Sequence, residues 1–162
     1  MSVLVSTADG CHEFTSSGDH TVSLRGRSVA ALTLGPSGEW MAIADRRELC
    51  RRNADGTWTS LATTAVDLSA LTTAGDVVFA GTVGAHMLRL RPDSELEPLP
   101  GFDTVTGRDH WHGVGGPIEV RSLTATVNGE ALLANVHVGG HPALERRWRV
   151  LAADHRRGRR RP

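Results

Sequence analysis

Short apolar runs separated by turn residues recur along the whole chain. Each run is four to six residues long and ends at Gly, Asp, Asn, Ser or Pro. In one repeated unit, an apolar run closing on Ala or Gly is joined by a short turn to a second apolar run. Its clear copies are residues 3–14, 40–51 and 77–90, and a fourth begins at Leu132. Because no long stretch keeps a 3.6-residue period, the pattern predicts short β-strands joined by tight turns.

Equivalent positions of this unit fall at Val3, Met41, Val77 and Leu132, and the last gap is longer because residues 101–117 are inserted. Four short strands per repeat at a period of about 40 residues are typical of a β-propeller blade. One sheet has two apolar faces, and it buries both only by packing between neighbours around an axis. We therefore predict an all-β fold, a partial β-propeller of three to four four-stranded antiparallel blades, with a β-sandwich as the alternative. The predicted blades are residues 1–27, 28–62, 63–100 and 118–140.

The first strand of each predicted blade is expected to line the central channel. Its small residues Ala31, Ala70 and Ser122 suit the crowded centre of such a ring. An incomplete ring leaves strand edges exposed, so we also expect self-association through the open edges.

The turn Asp55-Gly56-Thr57-Trp58 resembles the Asp-box, Ser-x-Asp-x-Gly-x-x-Trp, although the Ser is missing here. With the blade pattern, residues 1–140 resemble the sialidase-like, BNR/YVTN-type β-propeller proteins of high-GC bacteria. The resemblance implies that the Asp55 side chain caps backbone amides of its hairpin and that Trp58 packs between blades. These are structural roles, so the box itself implies no catalysis.

Residues 141–162 depart from the family pattern. Residues 1–144 carry 10 Arg and 16 acidic residues, whereas residues 145–162 carry 8 Arg and 2 acidic residues. High-GC codons for this tail, read one base later, can spell a complete Asp-box. We therefore expect the tail to be disordered or frame-shifted, which makes the product a truncated propeller. A basic arm for nucleic-acid phosphates is the alternative, but the tail has no interleaved aromatic residues for base stacking, and we do not expect nucleic-acid binding.

Histidines supply the next candidates for chemistry. Three lie near the inserted loop or just before it, one follows the last regular strand and one opens the tail; they are His86, His110, His112, His137 and His141. No spacing among them matches a metal motif, so we expect no metal and no cofactor. Asp109 and Glu119 are a conceivable acid/base pair, but nothing in the sequence fixes their separation.

The family resemblance raises glycoside hydrolysis, and sialidase chemistry uses a tyrosine nucleophile with an arginine triad. The chain contains no tyrosine. We therefore expect a non-catalytic scaffold that binds a ligand or a protein partner, and the remnant of a sialidase-like hydrolase is the alternative. The candidate binding residues are His86, Asp109, His110, Trp111, His112, Arg121 and His137.

Two cysteines, Cys11 and Cys50, are too few for a disulfide framework, and we expect them to be small buried residues on matching strands. The N-terminus has neither the basic nor the apolar region of a signal peptide, and no run reaches the ~18 apolar residues of a membrane span. The expectation is a cytoplasmic protein that is not bound to a membrane.

Overall fold

The fold is described from a computed structural model of the chain. The structure describes residues 1–113, 115–127, 129, 131–137 and 149–152, and for His137 and residues 149–152 it describes the backbone alone. Short strands joined by turns make up most of this part. Its elements are β1 (Ser2–Thr7), β2 (Gly10–Thr15), β3 (His20–Ser23), β4 (Val29–Leu34), β5 (Trp40–Ala44), β6 (Glu48–Arg52), β7 (Trp58–Thr63), β8 (Leu68–Ala74), β9 (Val77–Thr82), β10 (Met87–Leu90), β11 (Glu97–Pro98), α1 (Pro100–Asp103), a 3₁₀ turn (Arg108–His110), β12 (Glu119–Ala125), β13 (Ala131–His137) and β14 (Arg149–Ala152).

The described strands form four antiparallel sheets in chain order. Sheet 1 is β1-β2-β3, sheet 2 is β4-β5-β6-β7, sheet 3 is β8-β9-β10-β11, and sheet 4 is β12-β13-β14. The first strands of sheets 2, 3 and 4 are β4, β8 and β12, called here the inner strands, and β4 lies against β8 and β8 against β12. Sheets fanned around a line of inner strands form a partial β-propeller, so the predicted fold class is confirmed.

Sheet 1 holds the second, third and fourth strands of its repeat rather than the first three. Three backbone hydrogen bonds indicate this, because each joins a turn between a second and a third strand to the segment that leads into the next inner strand. They run from Gly26 N to Asp9 O at 3.1 Å, from Leu68 N to Arg46 O at 2.5 Å, and from Gly84 N to Ile118 O at 2.7 Å. The turn between β1 and β2 therefore corresponds to the turns β5–β6 and β9–β10, and β1 corresponds to β5 and β9.

Apolar residues of neighbouring sheets form three cores. The core between sheets 1 and 2 is centred on Cys11, Val29 and Ala42. Met41 and Leu68 lie in the core between sheets 2 and 3. A third core, between sheets 3 and 4, also takes in the inserted segment, and its buried residues are Ala70, Ala74, Val77, Phe79, Ala85, Met87, Phe102, Val120, Leu132 and Ala134. Neighbouring sheets thus bury the apolar faces that they share, as the repeat predicts, whereas Val3, Val5 and Phe14 on the free face of sheet 1 are exposed.

The prediction for the cysteines is confirmed. Cys11 lies on β2 and Cys50 on β6, which are both third strands of their repeats, and each residue is 1% exposed. Both are free thiols. The cysteines therefore act as small apolar core residues.

Only residues 149–152 of the predicted tail are described, and they pair with β13 as the third strand of sheet 4. The rest of the tail lies outside the described residues, and the expectations of disorder or of a frame shift stay predictions there. In the described part of the chain, none of the helices has the length and apolar character needed to span a bilayer.

The channel prediction is wrong by one position. Ala31 and Ala70 pack into the cores between sheets and do not line the axis. The residue before each of them, Ala30 or Ser69, lines the axial cleft instead. The reason is an irregularity repeated in the inner strands, which also builds the candidate site.

Candidate functional site

A cleft of about 420 Å³ opens at the end of the inner strands where each of them begins. The inner strands and the turn between β5 and β6 supply its lining. The lining residues are Ser28, Ala30, Arg46, Ser69, Glu119 and Arg121. Nearly all of these side chains are polar, and they come from three different sheets. This combination distinguishes the cleft from the apolar cores beside it.

Each inner strand has a β-bulge at the same place. In β4 the pairing with the second strand skips Ala30, in β8 it skips Ser69, and in β12 it skips Arg121. A bulge adds one residue to a strand and re-aims the unpaired side chain. All three skipped residues line the cleft, so one repeated backbone irregularity aims three side chains at one place.

Arg46 reaches the cleft from a tight turn between β5 and β6. Asp45 and Arg46 both have positive φ, at 49° and 60°. Asp45 anchors the turn, because its backbone N donates to Ser28 O at 2.7 Å and its Oδ1 accepts from Ser28 N at 3.0 Å. Left-handed backbone at two non-glycine residues in succession is unfavourable by about 1–2 kcal/mol each. The turn therefore holds Arg46 over the cleft at a conformational cost.

The charges of the cleft are paired only loosely. Arg46 Nη2 lies 3.7 Å from Glu119 Oε2, and Arg121 Nε lies 3.5 Å from Glu119 Oε1. Arg46 Nε is also 3.7 Å from Asp67 Oδ2, whereas Arg47 Nε hydrogen-bonds Asp67 Oδ1 at 2.9 Å. Charge-assisted hydrogen bonds are normally about 2.7–2.9 Å long. The guanidinium groups of Arg46 and Arg121, which are 45% and 54% exposed, thus keep donors available for a ligand.

The inserted segment packs on the core between sheets 3 and 4, where Arg108 contacts the rings of Phe102 and Trp111, whose centres lie 5.8 Å apart. The guanidinium carbon of Arg108 lies 5.7 Å from the ring centre of Phe102 and 5.1 Å from that of Trp111. Arg108 Nη1 also donates to Ala85 O at 2.6 Å. Cation–π contacts of this kind stabilise by about 0.5–2 kcal/mol. Trp111, a predicted binding residue, therefore contributes to the packing of the segment.

The predicted histidine candidates whose side chains are described do not converge, and His141 lies outside the described residues. His86 Nδ1 hydrogen-bonds Asp103 Oδ1 at 2.8 Å. His110 lies 3.1 Å from Asp109 in an exposed loop, and His112 Nδ1 contacts His110 O at 3.0 Å. Among the described residues, no group of three His, Cys, Asp or Glu side chains is placed to hold a metal ion.

Of the predicted acid/base pair, Glu119 lies in the cleft between two arginines, whereas Asp109 contacts the exposed His110. Glu119 also pairs with His137 through the backbone of β12 and β13, and the side chain of His137 is outside the description. Among the predicted binding residues whose side chains are described, Arg121 alone lines the cleft. Arg46, Ser28 and Ser69 were not predicted from the sequence. The x-small-Leu-Thr repeat at 30–33, 69–72 and 121–124 was a signal for the bulge positions, because the first residue of each copy lines the cleft.

The turn that contains Asp55 joins β6 to β7 and lies at the end of sheet 2 opposite the cleft. Asp55 Oδ1 accepts from Thr57 N at 2.9 Å and from Thr57 Oγ1 at 2.6 Å, which lowers the pKa of the Asp55 carboxyl. Gly56 has a φ of 84° in the same turn. Trp58 Nε1 donates to Ser23 Oγ at 2.9 Å and so links sheet 2 to sheet 1. The turn has a structural role and is separate from the cleft.

The sheets and their line of inner strands define the class of the protein, which is that of the β-propellers. No protein-family model matches the sequence, and no curated protein matches it. Among solved structures, the chain is similar to the extracellular domain of BT4673 from B. thetaiotaomicron, with 14% identity and a TM-score of 0.61 over 96% of this chain and 21% of that one.

Two further solved structures are similar to the chain. YCF48 bound to D1 peptide has 10% identity and a TM-score of 0.62 over 85% of this chain and 44% of that one. Virginiamycin B lyase from Staphylococcus aureus has 11% identity and a TM-score of 0.54 over 94% and 52%. The chain thus spans between about a fifth and a half of these relatives, and identities this low show the fold alone.

Proposed function

We propose that the chain is a non-catalytic, BNR-type binding propeller whose axial cleft takes a ligand carrying a carboxylate. The observation that carries the proposal is the convergence of three equivalent bulge residues on one cleft with Arg46. A surface with a purely structural role does not need three sheets that each direct a bulge residue, without a cross-strand partner, into one cleft. Bulges beside binding sites commonly serve to re-aim side chains.

The chemistry of the cleft favours an anionic group. Among the lining residues, Arg46 and Arg121 bring two positive charges, and Glu119 brings one negative charge. Because the arginine pairs with Glu119 are long and partly exposed, each is weak in water. A ligand carboxylate can accept two parallel N–H bonds from one guanidinium, and such a bidentate pair is stronger. A ligand carboxylate can therefore replace the long contacts of an arginine with Glu119 by shorter and stronger hydrogen bonds, which favours its binding.

Two other observations agree with a binding role. The contacts of Asp55 and Trp58 have the structural form that the Asp-box resemblance implies. One protein of similar fold, YCF48, has been solved with a bound peptide. A peptide with a free C-terminus carries the required carboxylate, so we infer that such a peptide is one suitable ligand.

A remnant glycoside hydrolase is the weaker interpretation. Glycosidases need two carboxyl groups across the scissile bond or a tyrosine nucleophile. Among the described residues, Glu119 is the one carboxylate that lines the cleft, and it contacts two arginines. The chain has no tyrosine. These features favour binding over turnover.

The test uses a library of short peptides with free C-termini and the same library with amidated C-termini, together with an array of acidic glycans. Arg46→Gln and Arg121→Gln remove the cleft charges, and Arg51→Gln, at an exposed position on β6, is the matched control. A lost charge-assisted hydrogen bond is worth about 1.5–3 kcal/mol, so each cleft variant should bind a hit about 10- to 100-fold more weakly.

The control variant should bind each hit with the affinity of the wild type. Where the hit is a peptide, amidation of its C-terminus should lower its affinity for the wild type at least as much as the cleft substitutions lower the affinity for the free peptide. The proposal would be contradicted if the ligands that bind have the same affinity for Arg46→Gln and Arg121→Gln as for the wild type. Turnover of an acidic glycan that Arg121→Ala abolishes would replace it with the hydrolase interpretation.

A further inference from the structure

The carboxylate of Glu119 lies between the two arginines of the cleft without a short bond to either. Its Oε2 is 3.7 Å from Arg46 Nη2, and its Oε1 is 3.5 Å from Arg121 Nε. Other arginine–carboxylate pairs of the chain are shorter, such as the 2.7 Å between Arg89 Nε and Glu97 Oε1. In the part of the chain that the structure describes, these two arginines are the closest partners of the Glu119 carboxylate. Its oxygens can therefore accept hydrogen bonds from a ligand.

Backbone pairing fixes the position of Glu119 at the start of β12. The residue pairs with Val83 in the turn between β9 and β10 and with His137 on β13. Ser28 and Asp67 occupy the same place, two residues before the bulge, at the start of β4 and β8. Ser28 is uncharged, and Asp67 already accepts a 2.9 Å hydrogen bond from an arginine. Of these three equivalent positions, Glu119 thus supplies the carboxylate that lacks such a bond.

Ser69 supplies a second acceptor close to Glu119. Its Oγ, at the bulge of β8, donates to the backbone carbonyl of Val120 at 2.7 Å. A hydroxyl group has one proton and two lone pairs, so the Ser69 oxygen has acceptor capacity alone left for a ligand. Because Val120 directly follows Glu119, the two acceptors come from adjacent places on β8 and β12. The cleft therefore favours a ligand with a hydrogen-bond donor at this place.

A ligand that carries a carboxylate and no donor meets opposing forces in the cleft. Arg46 and Arg121 attract it, but both lie within 3.7 Å of the Glu119 carboxylate, so a ligand that contacts both arginines is brought close to Glu119. Like charges a few ångströms apart repel each other, and the repulsion grows where side chains are partly shielded from water. A positively charged donor beside the ligand carboxylate would replace this repulsion by attraction.

We propose that the cleft selects zwitterionic α-amino acids, a selectivity that rests on the proposed carboxylate site. Arg46 and Arg121 bind the α-carboxylate, while Glu119 and Ser69 accept hydrogen bonds from the α-ammonium group. One carbon atom separates the two charged groups of an α-amino acid, so they reach neighbouring partners at the same time. An ammonium group has three N–H donors, which is enough for both acceptors. Glu119 is thus a specificity-determining residue that distinguishes amino acids from simple carboxylic acids.

This arrangement ranks related ligands. A peptide C-terminus keeps the carboxylate but offers one uncharged amide N–H in place of the ammonium, so it should bind more weakly than the free amino acid. An α-hydroxy acid has nearly the size of the amino acid and lacks the ammonium, and an α-amide keeps the ammonium and lacks the carboxylate. Hydrogen bonds to charged groups are the stronger ones, so each analogue should bind at least tenfold more weakly than its amino acid.

The probes are the common L-amino acids, each titrated singly into the full chain and measured by isothermal titration calorimetry. Every amino acid that binds is then compared with its α-hydroxy acid and its α-amide. Glu119→Gln removes the negative charge and keeps the shape of the side chain. It should lower the affinity for the amino acid at least tenfold and leave the affinity for the hydroxy acid unchanged or higher, because the repulsion of that carboxylate is lost. Glu95→Gln, at an exposed position between β10 and β11, is the matched control and should bind as the wild type does.

The outcomes separate this selectivity from the carboxylate site itself. Hydroxy acids that bind as tightly as amino acids, with both weakened by Arg46→Gln, would overturn the selectivity and leave the carboxylate site in place. Equal losses of both ligands in Glu119→Gln would also overturn it, because they would indicate a structural role for Glu119. Ligands that bind Arg46→Gln and Arg121→Gln as they bind the wild type would overturn the selectivity and the carboxylate site together.

Discussion

Gly81 on β9 is a buried position at which one added carbon should strongly disturb the packing of two sheets. A Cβ built at Gly81 would lie 2.5 Å from Val120 Cβ and 2.6 Å from Val120 Cγ1. Carbon atoms pack best at about 3.5–4.0 Å, so β12 would have to retreat by about 1 Å. Val120 is 0% exposed and lies in the core between sheets 3 and 4, so no solvent gap absorbs the movement.

Overpacking a close-packed core typically lowers the free energy of unfolding by about 1–3 kcal/mol. Both carbons of this contact are Cβ atoms, which cannot move away by a change of rotamer, so we expect Gly81→Ala to fall in the upper half of that range. For a chain of this size, each kcal/mol lowers the melting temperature by about 2–4 °C, so we expect a loss of roughly 5–10 °C. The movement would also lengthen the bond from Ser69 Oγ to Val120 O and shift Arg121. Ligand binding in the cleft should therefore weaken together with stability.

Urea unfolding and thermal melting of the purified chain measure the effect. Gly101→Ala is the control, because a Cβ there meets nothing within 4 Å and the residue lies in α1. Alanine is the better helix former, so this control should be neutral or slightly stabilising. In the double variant, Val120→Gly removes the colliding atoms, and its coupling with Gly81→Ala should exceed about 1 kcal/mol. A Gly81→Ala chain as stable as the Gly101→Ala chain would refute the reasoning.

Burial raises the pKa of the Cys50 thiol to about 11, and Cys11 is equally buried. Thiol reagents should therefore label both residues only as the chain unfolds, with a urea dependence matching circular dichroism; rapid labelling in buffer would contradict this. Hydrogen bonds from Ser60 and Arg27 lower the pKa of Glu48 below its ordinary 4.5. A depressed carboxyl pKa stabilises the fold above the unfolded value, so stability should fall as pH drops below about 4.5. Glu48→Gln should flatten this acid limb, and curves of equal slope for variant and wild type would argue against it.

The repeat itself could be predicted from the sequence because its signals are local. Turn residues punctuate apolar runs at the length of a strand, and the spacing from Val3 to Met41 to Val77 is that of a four-stranded unit. The positions of these residues on second strands agree with the structure. Burial of Cys11 and Cys50 followed from their places within matching runs.

The cleft could not be predicted because it depends on where a strand loses its register. Side chains alternate with a period of 2, so one extra residue exchanges the two faces of a strand, and the expectation for Ala31 and Ala70 was wrong for this reason. The turn at 45–47 could be predicted from the repeat, but Arg46 was missed because the sequence does not show that two left-handed residues, Asp45 and Arg46, direct its side chain into the cleft. Among the predicted binding residues whose side chains are described, Arg121 lines the cleft.

The bulge residues Ala30, Ser69 and Arg121 have a consequence for how such a protein can change over time. Each lies outside the strand ladder, and each points away from the packed cores. A methyl group, a hydroxyl group and a guanidinium occupy the same backbone setting in three successive repeats. Apart from the hydrogen bond of Ser69 Oγ to Val120 O, residue identity at these positions is thus separate from the packing of the sheets. New recognition chemistry can arise there by single substitutions, one repeat at a time, while the framework keeps its stability.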